Sequence, residues 1–310
     1  MLTTAIGKVT SGEDLTMAEM AEVIDLVMSG QCKDDQIAAL LLKLREKGET
    51  AAEVAGAARA MRKHMTTITS ERQDLVDTCG TGGDGSGTFN ISTAAAIVAA
   101  AAGISVAKHG NRKITSKTGS ADVLVELGVN IEAPVAVMEQ ALNEVGICFM
   151  FAPLFHPSMR HVMPVRRSLG VPTIFNMLGP LCNPANASYQ LLGVGRPALR
   201  PMLSSALSLL EIKRAHIVCG SDGLDEITLN GVTNISTVEG STVSEASWTP
   251  EDFGIESAAL EGMDAEDAIE SAEQIRKVLS GASGPSRNIV LLNAAGAISL
   301  AHPEQSLPEC

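Results

Sequence analysis

The sequence has few aromatic residues: they make up 3% of its 310 positions, with one tryptophan and one tyrosine. A core built without them must rest on Ala, Val, Ile, Leu and Met, and hydrophobic residues at 45% are enough for a sizeable one. Basic residues are also scarce. The formal net charge of −13 argues against a nucleic-acid-backbone binder, because such proteins carry a basic surface. A small anionic ligand stays compatible, since a few local cations and backbone amides suffice to hold it. No run of 18 apolar residues occurs, so no membrane span is expected. The amino terminus lacks a basic start followed by an apolar stretch, and so does not read as a leader. Cys32, Cys79, Cys148, Cys182, Cys219 and Cys310 include no CxxC pair. They read as reduced thiols of a cytoplasmic protein, which leaves the sequons at Asn90, Asn186 and Asn234 without meaning.

What is present divides the chain. A length of 310 residues favours two lobes. Residues 1–65 read as helices only. Thr16 with Glu19 and Thr50 with Glu53 form T-x-x-E capping boxes, and Gly30 and Gly48 stand where helices should stop. After Ser70, short apolar runs alternate with helical patterns: "DLVDTCG", "ISVAKHG", "ICFMFA", "YQLLGVG" and "RAHIVCG" read as strands, with helices between them. That alternation predicts an α/β architecture, a mostly parallel central sheet covered by helices, beside a small all-helical domain. The proline-marked segment 156–183 breaks the rhythm and is expected to pack back on the first helices. The expected domains are therefore 1–70 with 156–183, and 71–155 with 184–310.

Three strand ends carry chemistry. "GTGGDGSGTFNIST" opens a helix directly after the first strand, and its glycines let backbone amides gather around an anion. Ser92, Thr93 and the helix start add donors. The loop lacks GK[ST] and GxGxxG, so it is neither a Walker A loop nor a dinucleotide fingerprint. "NIST" recurs at 234–237 inside a strand-like run with no glycine loop, and reads as coincidence. The next strand end holds Lys108, His109, Arg112, Lys113 and Lys117 with hydroxyls at Thr115, Ser116, Thr118 and Ser120, a set suited to polyphosphate. A third, "GSDGLDEITL", offers Asp222, Asp225 and Glu226 as hard ligands for Mg²⁺. Further along, Arg166 or Arg167 could fork onto a carboxylate. His156 and His161 read as capping or packing residues.

The stretches "GTGGDG…FNIST", "KHGNR…TSKTGSAD", "VRRSLG…TIFNMLGPLCNP" and "DGLDE", in this order, resemble the anthranilate phosphoribosyltransferases over about residues 10–300. The resemblance implies transfer of a phosphoribosyl group from phosphoribosyl pyrophosphate (PRPP) to the amine of anthranilate, in tryptophan biosynthesis. It also implies two substrate lobes joined by a hinge, a homodimer through the helical domain, and about two Mg²⁺ ions carried by PRPP and the acidic loop. By position, Gly80, Gly83, Asp84, Thr88, Asn90, Ile91, Ser92, Thr93, Lys108, His109, Gly110, Asn111, Arg112, Thr115, Ser116 and Ser120 match PRPP-binding residues. Gly80, Asn111 and Arg166 match anthranilate-binding residues, and Ser92, Asp225 and Glu226 match metal positions. The chain departs from the family at Thr115, where serine is usual, and at Pro172, where a basic residue is frequent. Family members also usually continue with another helix or two.

The implied reaction is substitution at an anomeric carbon with a highly charged leaving group, so charge stabilisation should dominate catalysis. Anthranilate's amine is already neutral, and no strong general base is evident. His109 is the one candidate for a proton acceptor, with loop orientation as its alternative role. Two other readings share these words: a pyrimidine nucleoside phosphorylase-like enzyme, and a non-catalytic nucleic-acid-binding relative. The intact "KHGNR" and "TIFNMLGPL" oppose the first, and the net charge of −13 opposes the second.

Overall fold

A computed structural model describes residues 1–113 and 117–310. The predicted Thr115 and Ser116 lie outside the described residues. Four helices come first: α1 (Leu2–Thr10), α2 (Met17–Met28), α3 (Asp34–Lys47) and α4 (Ala51–Lys63). Both capping boxes form, with Thr16 Oγ1 accepting the Glu19 N–H and Thr50 Oγ1 accepting the Glu53 N–H. Glu53 does more than cap. It is fully buried, and its Oε1 accepts the Leu15 N–H at 3.0 Å while Lys47 Nζ lies 3.1 Å from Oε2. This ties the start of α4 to the turn before α2.

The sheet follows: β1 (Val76–Gly80), α5 (Ile91–Ala101), β2 (Val106–Gly110), α6 (Ser120–Glu126), α7 (Val135–Val145) and β3 (Ile147–Phe151). The chain then leaves through α8 (Ala152–Phe155), α9 (Met163–Leu169) and α10 (Phe175–Leu178). It returns with β4 (Tyr189–Gly193), α11 (Leu199–Leu209), β5 (Arg214–Gly220), β6 (Thr233–Glu239) and β7 (Thr242–Trp248), and ends in α12 (Ala268–Leu279) and α13 (Pro285–Ala301). The strand order is β3-β2-β1-β4-β5-β6-β7. The first five are parallel, and β6 and β7 are antiparallel additions.

Buried strands alternate their neighbours between two cores. Leu191 and Val218 face Ile91 of α5 and Ile289 of α13, whereas Leu192 and Ile217 face α11 and the helical bundle. Val162, Val165, Ile174 and Phe175 share that second core with Leu40, Leu41 and Leu44 of α3 and Ala57 and Ala58 of α4. Arg62 Nε donates to the Leu181 carbonyl at 2.7 Å, adding a polar tie across this contact. The second "NIST" lies within β6, as its strand-like pattern suggested.

Candidate active site

β1 emerges mid-sheet with β2 on one side and β4 on the other, which opens a crevice at the carboxyl ends of these strands. The glycine loop fills it. Gly82, Gly83, Gly85 and Gly87 have φ of 66°, 76°, 74° and 72°, values that side-chain-bearing residues reach only at a cost. The loop is anchored by the Thr81 N–H on the Gly193 carbonyl (2.9 Å) and the Phe89 N–H on the Met263 carbonyl (2.8 Å). Between these anchors the amides of Gly83, Asp84, Gly85 and Gly87 donate to nothing among the described residues. Three buried side-chain atoms around the loop, Thr81 Oγ1, Asp84 Oδ2 and Thr93 Oγ1, likewise have no partner among the described residues. Buried polar atoms are rarely left so, which makes this the place where a ligand completes the structure.

The acidic loop after β5 closes onto it. A Cβ placed on Gly80 would stand 2.5 Å from Asp225 Oδ2, so the absence of a side chain at Gly80 is what admits the carboxylate. Asp225 Oδ2 accepts the Gly82 N–H at 3.0 Å. Glu226 Oε1 accepts the Ser92 N–H at 3.1 Å in the first turn of α5, where the helix dipole favours negative charge. Burial, with Asp84's charge next, pushes Asp225 up to about 7. Burial and then Asp225 push Glu226 well above the usual carboxylate range, with Lys108 opposing. Asp222 stands apart from this cluster. Its oxygens accept the Thr228 hydroxyl (2.6 Å) and the Leu224 N–H (3.1 Å) within its own turn.

Lys108 lies beneath the loop, 3% exposed. Its Nζ donates to the Thr78 carbonyl and lies 3.4 Å from both Thr78 Oγ1 and Ser92 Oγ. Burial lowers its pKa, while Asp77, Cys79 and Glu226 raise it. The next residue, His109, points the other way. Its Nε2 is 3.3 Å from His156 Nε2. Burial, then His156, pushes His109 down to about 3 against a hydrogen bond to the Gly179 backbone, and burial takes His156 to about 4. Both imidazoles are neutral at pH 7, and His109 is a poor proton acceptor.

The second loop reaches the first through Asn90, whose Nδ2 donates to Thr118 Oγ1 at 2.6 Å. Arg112 pairs with Asp122 at 3.0 Å, and Lys117 pairs with Glu266 at 2.6 Å. The Asn111 side chain caps its neighbour's amide, while the Asn111 carbonyl accepts from Ser120 Oγ at 3.4 Å. Gly110 packs against Phe149, 2.8 Å from where a Cβ would stand. Thr88 Oγ1 lies 3.1 Å from Ser86 Oγ. Ile91 turns its side chain into the core and gives its N–H to the Phe89 carbonyl, so it can offer a ligand only its carbonyl.

Arg166 stands away from these contacts, on α9. It packs 5.8 Å from the Phe175 ring centroid and donates to Asn176 Oδ1 at 3.3 Å. No carboxylate lies within ion-pair distance of it among the described residues. Burial lowers its pKa. Asn176 and Gly179 belong to one stretch of chain, so Arg166 and His109 both touch the 173–182 segment.

The glycosyl transferase family matches almost throughout, its helical bundle domain over residues 3–65 and its a/b domain over residues 72–310. The anthranilate phosphoribosyltransferase of Rhodopirellula baltica is 50% identical over 305 residues, covering 98% of this chain and 89% of that protein. The chain belongs to the anthranilate phosphoribosyltransferase family. The crystal structure of the family's enzyme from Thermus thermophilus is 42% identical, with a TM-score of 0.91 over 98% of this chain and 91% of that one. The Saccharomyces cerevisiae family member in complex with PRPP and Mg is 29% identical, with a TM-score of 0.90 over 99% of this chain and 90% of that one.

The family's metal fits the residues found here. Asp84 Oδ2 is buried and unpartnered among the described residues, and it raises Asp225 and Glu226 by like charge. Three carboxylates thus converge with one lysine, a set that a divalent cation would neutralise. Among the described residues no group of three His, Cys, Asp or Glu side chains closes around an ion by itself. Two neighbours of these residues escaped the sequence reading. Asp77 is fully buried, with Oδ1 accepting the His109 N–H (3.1 Å) and Oδ2 accepting from Asn183 Nδ2 (2.8 Å). An aspartate inside the strand "DLVDTCG" was the available signal. Gly195 is the second: a Cβ there would stand 2.7 Å from that of Asp84.

Proposed function

We propose that this chain transfers the 5-phosphoribosyl group of PRPP to the amine of anthranilate, giving N-(5-phosphoribosyl)anthranilate and pyrophosphate in tryptophan biosynthesis. The carrying observation is the four unpaired loop amides held against converging carboxylates, with Thr81 Oγ1 and Thr93 Oγ1 beside them left without a partner among the described residues. The loop amides of Gly83, Asp84, Gly85 and Gly87 would hold phosphate oxygens, and Lys108 would neutralise charge beneath them. Mg²⁺, about two ions bound through Asp225, Glu226 and Ser92, would supply Lewis-acid stabilisation of the departing pyrophosphate. Arg166, free of any carboxylate among the described residues, would face the anthranilate carboxylate or wall its ring. The amine is neutral at pH 7, so His109, pushed down to about 3, acts as a positioning group rather than a base.

The reading extends to organisation. Residues 1–70 with 156–183 form one lobe, and 71–155 with 184–310 form the other, a division supported by the core that α9 and α10 share with α3 and α4. The chain acts as a cytoplasmic homodimer through the helical lobe. The exposed Leu42 on α3 suits such a contact, and the six free cysteines suit a reducing compartment. Among the described residues no helix is long and apolar enough to cross a membrane.

The decisive experiment follows anthranilate fluorescence with PRPP and Mg²⁺ present. Decay that requires all three components supports the reading. An inert anthranilate signal, with thymidine and phosphate consumed instead, would overturn it in favour of a phosphorylase.

A further inference from the structure

At the other end of the parallel strands, where β4 and β5 begin, lies a cavity of about 250 Å³. Four residue steps of β4 separate Tyr189 beside it from Gly193 under the glycine loop, about 13 Å of strand. The cavity therefore opens at the opposite end of the strands from the glycine loop, although its wall residue Asn183 reaches Asp77. Its walls come from the end of α4, from residues 180–190 and from the turn between α11 and β5.

Three observations point to a ligand. First, Arg62 lines the cavity with no carboxylate within ion-pair distance among the described residues, and burial lowers its pKa. The Leu181 carbonyl takes its Nε, which leaves its terminal nitrogens to meet an anion from the cavity. Second, three non-glycine residues in the described chain have positive φ: Asp74 at 58°, Asn186 at 50° and Glu211 at 59°. Asn186 and Glu211 line the cavity, and Asp74 holds Lys213 of its rim at 2.8 Å. Glu211 takes this conformation where α11 stops, with the Ile212 N–H on the Leu207 carbonyl at 3.3 Å, and Asn186 takes it in a turn closed on the Asn183 carbonyl at 3.0 Å, so both rim positions are set by the backbone. Third, the lining is mostly polar, with Asn183, Asn186, Ser188 and Gln190 beside Leu210 and Ile212, a set of hydrogen-bonding groups able to orient a small polar ligand.

We propose that this cavity binds a small organic monocarboxylate, its charge on Arg62 and its apolar body against Leu210 and Ile212. Glu211 on the rim works against a ligand carrying more than one negative charge.

The test uses full-length protein labelled with ¹⁵N in its arginine side chains. The Arg62 Nε signal is assigned by its loss in Arg62→Lys. The probes are cyclohexanecarboxylate, which lacks anthranilate's planar ring, and inorganic phosphate. Cyclohexanecarboxylate should shift the Arg62 signal saturably, with a Kd of about 1 mM. The shift should persist in Arg166→Ala and vanish in Ser188→Tyr, which fills the cavity. Glu211→Gln, an exposed change that leaves the core untouched, should tighten binding by about twofold to fivefold. A linear, non-saturating response overturns the proposal. So does tighter binding of phosphate than of the carboxylate, or a saturable shift that Glu211→Gln leaves unchanged.

Discussion

Replacing Asp225 by asparagine should stabilise the metal-free protein while disabling it. Burial and Asp84 raise the Asp225 carboxyl from its ordinary 3.8 to about 7. Folding therefore takes up a proton between those values, and stability falls as pH rises through that window. At about 1.4 kcal/mol per pH unit, the full span corresponds to about 4 kcal/mol. Asp225 keeps part of its surface open to solvent, which screens the charge, so about 1–3 kcal/mol is the expected gain. An asparagine oxygen can still accept the Gly82 N–H, so the loop keeps its anchor. In a chain of this length the gain corresponds to a Tm rise of about 2–5 °C. The assay is thermal unfolding with chelator present, at about pH 8 and about pH 4.5. The rise should be largest at the higher pH and shrink to about a quarter at the lower, where the folded state of both proteins carries a neutral group at this position but the unfolded parent is still mostly ionised. Adding PRPP with Mg²⁺ should stabilise the parent protein more than the variant. Equal Tm values at the higher pH, or a rise of the same size at both, would refute the idea that this carboxylate is held under electrostatic strain.

The remaining expectations concern turnover. Asp225→Asn with Glu226→Gln should remove most Mg²⁺-dependent activity with the far-UV circular dichroism unchanged; an unaltered kcat across a magnesium titration would reduce these carboxylates to an acidic turn. Arg166→Ala should raise the anthranilate KM by about 10- to 150-fold if a charged hydrogen bond is lost, with the PRPP KM within about twofold, and Lys108→Ala should reverse the pattern; an equal rise in both constants would point instead to lobe closure. Gly80→Ala should cost on the order of tenfold or more in kcat/KM, because its methyl would occupy the space of Asp225 Oδ2; wild-type kinetics would show that the loop has room to adjust. At saturating Mg²⁺, kcat should show no inflection near pH 6.5 attributable to His109, which is held near 3; an inflection abolished by His109→Gln would contradict this.

Elements governed by local chemistry were legible in the sequence. The Thr16 and Thr50 capping boxes depend on residues three apart, and both formed as read. The glycine loop and the acidic loop also read correctly as strand-end features, and the structure brings Gly82 and Asp225 within hydrogen-bonding distance. β7 was missed because "TVSEASW" is an exposed edge strand with no apolar face for alternation to reveal. Asp77 escaped because its partners, the His109 amide and Asn183, lie 32 and 106 positions away. A buried acid in a strand gives no hint of its partners until the strands are paired. Asp222 looked equivalent to Asp225 on spacing alone. The difference is that Thr228 and the Leu224 amide claim it within the turn.

Lys108 and His109 are adjacent in β2, yet one reaches Thr78 and Ser92 while the other reaches His156 and Gly179. The pleat makes β2 a partition: consecutive side chains serve opposite compartments, the glycine-loop side and the helical-bundle side. The division between the two sides is then fixed by strand register and not by which residues are present. One residue inserted between Gly103 and Ala107 would exchange the compartments of lysine and imidazole while leaving every motif in the sequence intact.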